Sequence, residues 1–205
     1  MIVALPVVPA WLDLGATAVF ALSGALVALR LRQTLVTATF FAIVTGLGGG
    51  TIRDLLLDAP VFWLRDPWIA TVALGAALLA WFTPRRWWER QALEWVDAAG
   101  LAMFAVLGTA KALAFGVAPV PAVVLGVISG CAGGIVRDMV AGVPSIIMRP
   151  ELYVTAAALA AGLTALLTWF ALPDAATWSI AAAAGFALRL AAITWNIKLP
   201  AYSRG

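Results

Sequence analysis

The chain alternates between long apolar stretches and short polar connections. The apolar stretches are Leu12–Leu29, Leu35–Leu57, Pro67–Phe82, Asp97–Phe115, Val120–Val140, Leu152–Phe170 and Ala176–Trp195. A helix needs roughly 20 mostly apolar residues to cross a bilayer. The pattern therefore predicts an all-α membrane protein with seven transmembrane helices in a single membrane domain over residues 1–205. Composition agrees, since 64% of the residues are hydrophobic and 11% are charged, against about a quarter charged in soluble proteins.

Basic residues occupy alternate connections between these predicted spans. They are Arg30 and Arg32 after the first span, Arg85, Arg86 and Arg90 after the third, Arg149 after the fifth, and Lys198 and Arg204 after the seventh. Cytoplasmic loops of membrane proteins carry an excess of Lys and Arg. We therefore expect a multi-pass protein of the cell inner membrane with its N-terminus outside and its C-terminus in the cytoplasm. This pattern favours membrane orientation over nucleic-acid binding, so no nucleic acid partner is expected.

The chain also matches itself when it is displaced by 84 positions, which brings Asp13 onto Asp97 and Phe20 onto Phe104. Further matches include Gly46 with Gly130, Gly49-Gly50 with Gly133-Gly134, Arg53-Asp54 with Arg137-Asp138, and Pro60 with Pro144. Each unit contains three spans, an odd number, so the second copy enters the membrane from the opposite side. The sequence predicts an inverted repeat, with unit 12–83, unit 96–172 and an additional span 176–195.

Glycines cluster in the middle of the second and fifth spans. The candidates are Gly46, Gly48, Gly49 and Gly50 in the second, and Gly130, Gly133 and Gly134 in the fifth. Glycine weakens a helix by about 1 kcal/mol relative to Ala, so we expect both spans to kink or unwind there and to line a polar cavity. The alternative is close helix packing, which small residues at this spacing also permit.

Two Arg-Asp pairs, Arg53-Asp54 and Arg137-Asp138, lie within spans, where an ionised group is costly unless it faces a cavity or a partner. Neighbouring residues point about 100° apart on a helix, so neither pair is expected to neutralise itself. In an inverted repeat the pairs fall in opposite halves of the membrane, on the order of 18 Å apart, and do not touch. They are interpreted as part of a permeation pathway or as helix-end anchors bonded to neighbouring loops.

Lys111 breaks the repeat, because its counterpart is Val27. It lies at the same predicted depth as Asp54, so an ion pair or shared cavity with Asp54 is expected, unless its side chain extends to the interface. Hydroxyl groups near mid-span belong to Ser23, Thr45, Thr109 and Ser129. These hydroxyl groups are expected either to line a hydrated path or to bond to the backbone carbonyl one turn earlier in their own helix.

The sequence gives little support to an enzyme. It has no His and a single cysteine, Cys131, and no nucleophile with a His base. We therefore expect no catalytic residues, no metal site and no cofactor.

The doubled motif GGGTIRD and GGIVRD, followed by Pro60 and Pro144, resembles the prokaryotic members of the trimeric intracellular cation channel family. The same repeat is also known as a glycine-transporter-like domain. The resemblance implies a homotrimer with a pore in each protomer, lined by the kinked second and fifth spans together with the first and fourth. It also implies potassium as the main cargo, so membrane lipid, potassium and sodium are the expected partners.

Two functions remain open from the residues alone. A potassium-permeable monovalent cation channel and a secondary transporter of a small solute such as an amino acid both need a hydrated site at mid-membrane. The family resemblance favours the channel.

Overall fold

The computed structural model describes residues 10–88, 91–148 and 150–200. These residues form eight α-helices: α1 (Ala10–Arg30), α2 (Leu35–Leu56), α3 (Phe62–Arg65), α4 (Pro67–Phe82), α5 (Ala92–Ala114), α6 (Pro119–Val140), α7 (Val154–Trp169) and α8 (Asp174–Thr194). Single turns of 3-10 helix lie at Arg85–Trp88 and Ile146–Met148. The chain is thus an all-α membrane protein, as its hydrophobic pattern predicted.

Five of these helices, α1, α2, α5, α6 and α8, are long and apolar enough to cross a bilayer. The helices α4 and α7 are also apolar but have 16 residues each. Sixteen residues make about 24 Å of helix, whereas the hydrocarbon core is about 30 Å thick. The count of seven spans therefore stays a prediction.

The start of α5 differs most from the predicted spans. The predicted fourth span begins at Asp97, whereas α5 begins at Ala92. Asp97 is 2% exposed and bonds to Arg137, and Glu94 pairs with Arg30 at 2.9 Å. The helix continues through these acidic residues because each carboxylate has a basic partner. Three residues of the orientation argument, Arg90, Arg149 and Arg204, lie outside the described residues.

The helices pack as two similar groups of three. In the first, α1, α2 and α4 contact one another, and in the second α5, α6 and α7 do the same. The groups meet where α1 packs on α5 and α2 packs on α6, while α8 packs on α5 and α7. Fully buried alanines such as Ala77 in α4 and Ala160 in α7 lie at these contacts. Such small side chains let helix backbones approach closely, which is how helices associate in lipid.

Candidate functional site

The Arg-Asp pair near the end of α2 is held by the turn that follows the helix. Asp58 adopts a φ of 50°, and the N–H of Ala59 donates to the Asp54 carbonyl at 2.9 Å. The chain thereby turns back, and the N–H of Phe62 donates to Asp54 Oδ2 at 2.8 Å. Arg53 Nε donates to Asp54 Oδ1 at 2.7 Å. Both charged side chains are fully buried.

The end of α6 repeats this arrangement. Gly142 has a φ of 67°, and the N–H of Val143 donates to the Asp138 carbonyl at 3.1 Å. The N–H of Ile146 donates to Asp138 Oδ2 at 2.9 Å, and Arg137 Nε donates to Asp138 Oδ1 at 2.9 Å. Both carboxylates therefore anchor a helix end to the returning chain.

The expectation that neither pair neutralises itself is wrong. In both pairs the arginine Nε bonds the carboxylate of the next residue. The arginine side chain is long enough to reach the carboxylate of the next residue, so the angle between the two Cα–Cβ directions does not limit the contact. Burial favours this bond, since an unpaired charge inside the protein is costly.

A first buried cluster forms around Lys111, and we call Asp13, Arg53, Asp54 and Lys111 the Lys111 cluster. Lys111 Nζ lies 2.7 Å from Asp54 Oδ1, so the predicted ion pair is confirmed. Arg53 Nη1 lies 3.9 Å from Asp13 Oδ1. The side chains of Lys111 and Asp13 are 19% and 15% exposed, which connects this cluster to the protein surface.

A second buried cluster, the Arg137 cluster, consists of Ser23, Asp97, Arg137 and Asp138. Arg137 Nη1 bonds Asp97 Oδ1 and donates to Ser23 Oγ at 3.1 Å. Arg137 Nη2 lies 2.9 Å from Asp138 Oδ1. A cavity of about 210 Å³, the Arg137 cavity, adjoins this cluster and is also lined by Val27, Arg30 and Glu94.

The helices α2 and α6 cross in direct backbone contact, and we call this contact the α2–α6 crossing. A Cβ at Gly49 would overlap the Ser129 carbonyl oxygen, and a Cβ at Gly133 would overlap the Thr45 carbonyl oxygen. These reciprocal contacts require the two helices to run antiparallel. Twelve residues of helix rise therefore separate Arg53 from Arg137, about 18 Å along the helix direction.

The two clusters lie on opposite sides of this crossing. Within the described residues, no hydrogen bond or ion pair joins the Lys111 cluster to the Arg137 cluster. This separation agrees with the sequence-based expectation that the two Arg-Asp pairs do not touch.

The expected unwinding at the glycines is wrong, because α2 and α6 continue as regular helix through them. Most of these glycines serve close packing instead, with Gly46 against Ala21, Gly50 against the Phe62 ring, Gly130 against the Leu101 carbonyl, and Gly134 against the Tyr153 hydroxyl. Gly48 differs, since a Cβ there would meet nothing within 4 Å. The kink itself stays a prediction.

The predicted polar residues divide into two kinds. Thr109 Oγ1 donates to the Ala105 carbonyl at 2.9 Å, which satisfies it within its own helix. Ser23 Oγ donates to the Phe20 carbonyl at 2.8 Å and also accepts from Arg137. By contrast, the hydroxyls of Thr45 and Ser129 are fully buried and have no hydrogen-bond partner among the described residues. Their backbone carbonyls lie at the α2–α6 crossing, whereas the Thr45 hydroxyl faces Gly24 of α1 and the Ser129 hydroxyl faces Gly108 of α5.

Three charged residues were missing from the predicted site. Asp13 and Asp97 complete the two clusters, and their matched positions in the repeat were the signal that could have found them. Arg189 is 1% exposed, lies 2.6 Å from Glu151, and stacks 5.4 Å from the centre of the Tyr153 ring. An intramembrane charge is a functional candidate by default, and the signal for Arg189 is its position within the last predicted span.

Comparison with known proteins agrees with this architecture. The glycine transporter family model matches residues 10–85 and again residues 94–169. The UPF0126 inner membrane protein YadS of Escherichia coli (strain K12) is 39% identical over 199 residues, which cover 94% of this chain and 95% of YadS. A UPF0126 membrane protein of Vibrio cholerae is 37% identical over 200 residues, with 94% of this chain and 82% of that protein covered.

Among solved structures, the TRIC trimeric intracellular cation channel orthologue from Rhodobacter sphaeroides has a TM-score of 0.83 and 38% identity, covering 92% of this chain and 98% of that chain. The fold and the site thus define an all-helical membrane protein in which two related helical units each carry a buried Arg-Asp pair. The chain belongs to the glycine transporter family, and its resemblance to the trimeric intracellular cation channel family is confirmed.

Proposed function

We propose that the chain forms a monovalent cation channel, permeable to potassium, with one pore in each protomer. The observation that carries this proposal is the pair of buried ion clusters on opposite sides of the α2–α6 crossing. Helices α1, α2, α5 and α6 supply every charged residue of both clusters, so they are the proposed pore walls. The related protein from Rhodobacter sphaeroides is described as a cation channel, which favours the same function here.

The cost of burying charge supports a hydrated path between these helices. An ionised group within the bilayer costs at least about 2.5 kcal/mol unless it faces a partner or a polar cavity. Pairing accounts for most charges in the two clusters, but it does not satisfy the hydroxyls of Thr45 and Ser129. Water that enters between α1 and α2, and between α5 and α6, would give these hydroxyls a partner.

Selectivity among cations is proposed to be weak. Asp13, Asp54, Asp97 and Asp138 attract cations along the path, whereas Lys111 and the two arginines repel them. The backbone of α2 and α6 is continuous helix, so its carbonyl groups bond within the helix rather than replace the hydration shell of an ion, and potassium and sodium are both expected to pass.

The proposed topology has seven spans, with α4 and α7 crossing the membrane as short helices. The units 12–83 and 96–172 are inverted, and residues 176–195 form the last span. The antiparallel contact of the equivalent helices α2 and α6 favours this inversion. The basic loops favour an N-terminus outside and a cytoplasmic C-terminus in the inner membrane. This orientation assigns the Lys111 cluster to the outer half and the Arg137 cluster to the inner half.

The proposed assembly is a homotrimer, since the related structure is described as trimeric. Light scattering of the purified protein, corrected for bound detergent, tests this number directly. A mass of three chains is expected, and a monomer or dimer would contradict it.

A secondary transporter of a small solute is the second candidate, because the family model is described as a glycine transporter. Recording in planar bilayers separates the two functions. A channel passes unitary potassium currents under a potassium chloride gradient alone, with a reversal potential of the sign expected for cations. Saturable glycine uptake without unitary current would establish the carrier instead, and a reversal potential of the opposite sign would refute cation conduction.

A further inference from the structure

The two ion clusters differ by one charge. Repeat positions Asp13, Arg53 and Asp54 correspond to Asp97, Arg137 and Asp138, but the counterpart of Lys111 is Val27. In the Lys111 cluster two carboxylates face two cationic groups, whereas in the Arg137 cluster two carboxylates face one. The Arg137 cluster therefore carries one formal negative charge that none of its own side chains balances.

The position of the Lys111 ammonium shows where a balancing cation fits. Lys111 Nζ lies 2.7 Å from Asp54 Oδ1, while the other oxygen of Asp54 accepts the N–H of Phe62. Asp138 has the corresponding bonds, from Arg137 Nε to Oδ1 and from the N–H of Ile146 to Oδ2. The repeat relation thus maps the Lys111 ammonium onto a place beside Asp138 Oδ1, next to Val27.

Space is available at that place. Val27, Asp97, Arg137 and Asp138 all line the Arg137 cavity of about 210 Å³, which is several times the roughly 30 Å³ that one water occupies. Asp97 is 2% exposed, and its Oδ2 has no hydrogen-bond partner among the described residues. A buried carboxylate oxygen without a donor is costly, and a cation in the cavity would compensate it.

The cavity is also accessible to ions. Arg30 and Glu94 line it, and their side chains are 38% and 34% exposed. They pair with each other at 2.9 Å, one basic side chain with one acidic side chain. The excess carboxylate charge further inside then determines the sign of the ion that is attracted.

We propose that the Arg137 cavity binds one monovalent cation of about the size of ammonium or potassium, held by the carboxylates of Asp138 and Asp97, which both line the cavity. The bound ion takes the role that the tethered ammonium of Lys111 has in the other cluster. A single charge is favoured because a divalent ion would leave a net positive charge in this poorly hydrated space. This site rests on the proposed function and deepens it, since it names where the permeating ion resides.

The test places a tethered ammonium in the cavity with V27K, which copies Lys111 at its repeat counterpart. The matched control is V27M, an unbranched side chain without charge. Thermal stability of the purified proteins is measured over a series of potassium chloride or ammonium chloride concentrations, with choline chloride keeping the ionic strength constant. Potassium and ammonium are expected to stabilise wild type and V27M in a saturable manner. V27K is expected to need at least a tenfold higher concentration for the same stabilisation.

Two results would overturn the site: a wild-type protein that potassium does not stabilise beyond choline, or a V27K variant with the wild-type response. If V27K does not fold, D97N carries the same expectation, because it removes the excess carboxylate charge while keeping the shape of Asp97. An unchanged potassium response in folded D97N would likewise refute the site.

Failure of the site and failure of the proposed function are distinguishable. Saturable potassium stabilisation without any potassium current would support the site and refute the channel. Potassium current in wild type with equal potassium responses in V27K and V27M would support the channel and refute the site.

Discussion

The α2–α6 crossing makes a sharp prediction about two adjacent glycines. At Gly49, an added Cβ would overlap the backbone carbonyl of Ser129, whereas at Gly48 it would meet nothing within 4 Å. Gly49→Ala is therefore expected to destabilise the protein, and Gly48→Ala is the matched control. The two changes are chemically identical, lie in the same helix, and differ only in the direction in which the methyl group points.

The magnitude follows from two opposing effects. Replacing Gly by Ala within a helix favours the helix by about 1 kcal/mol, and this gain is common to both variants. Overpacking a close contact costs about 1–3 kcal/mol. Because a backbone carbonyl cannot rotate away as a side chain can, the cost at Gly49 is expected near the upper end of that range. The two variants should thus differ by about 2–3 kcal/mol in the free energy of unfolding.

Unfolding in mixed micelles with increasing SDS, followed by tryptophan fluorescence, measures this difference. Gly133→Ala, the counterpart on α6, is expected to behave like Gly49→Ala because its Cβ would overlap the Thr45 carbonyl. Equal stability of Gly48→Ala and Gly49→Ala would refute the close crossing. A lower free energy of unfolding in both variants would instead support a kinked helix, in which both glycines are needed for their backbone flexibility.

Two further predictions concern buried ion pairs and use the same unfolding assay. Lys111→Met removes one partner of the buried Asp54, which keeps its bonds to Arg53 and the Phe62 N–H. The free energy of unfolding is therefore expected to fall by about 1–3 kcal/mol. The exposed Lys198→Met is the control, and equal stability of both variants would contradict a stabilising Lys111–Asp54 pair. Glu151→Gln leaves the guanidinium of Arg189, 1% exposed, without its carboxylate, and is expected to cost about 3–5 kcal/mol. Arg189→Met should cost less, because the side chain of Glu151 is 30% exposed and can be hydrated. An equal or larger loss for Arg189→Met would contradict this order.

The sequence was sufficient to predict those features that depend on periodicity and on matched positions. Apolar stretches of span length located the long helices to within a few residues, since burial in lipid requires nearly continuous apolar residues. The Lys111–Asp54 pair could be predicted from the repeat, because the inverted arrangement and the helix rise place the two residues at the same depth in the membrane. The same comparison identified Val27 as the position where the two units differ in charge.

Other features depend on three-dimensional packing that spacing does not determine. The spacing of Gly46 and Gly50 permits close helix contact, but only the structure identifies the facing residues, Ala21 and Phe62. The bond within Arg53-Asp54 depends on how a long side chain bends, so the helical angle between neighbours was a poor guide. The predicted fourth span begins at Asp97 rather than at Ala92, because spacing along the chain does not show that Asp97 has a partner, Arg137, on another helix.

The proposed cation path requires the two clusters to open to opposite sides of the membrane. Cysteine accessibility tests this directly, with Lys111→Cys and Val27→Cys introduced separately after the buried Cys131 is replaced by Ala. A membrane-impermeant, positively charged thiol reagent is applied from either side, to intact cells with a permeable outer membrane and to inverted inner-membrane vesicles. We predict modification of Lys111→Cys only from outside and of Val27→Cys only from the cytoplasmic side. Modification of both positions from the same side would contradict the inverted repeat and the cation path that it supports.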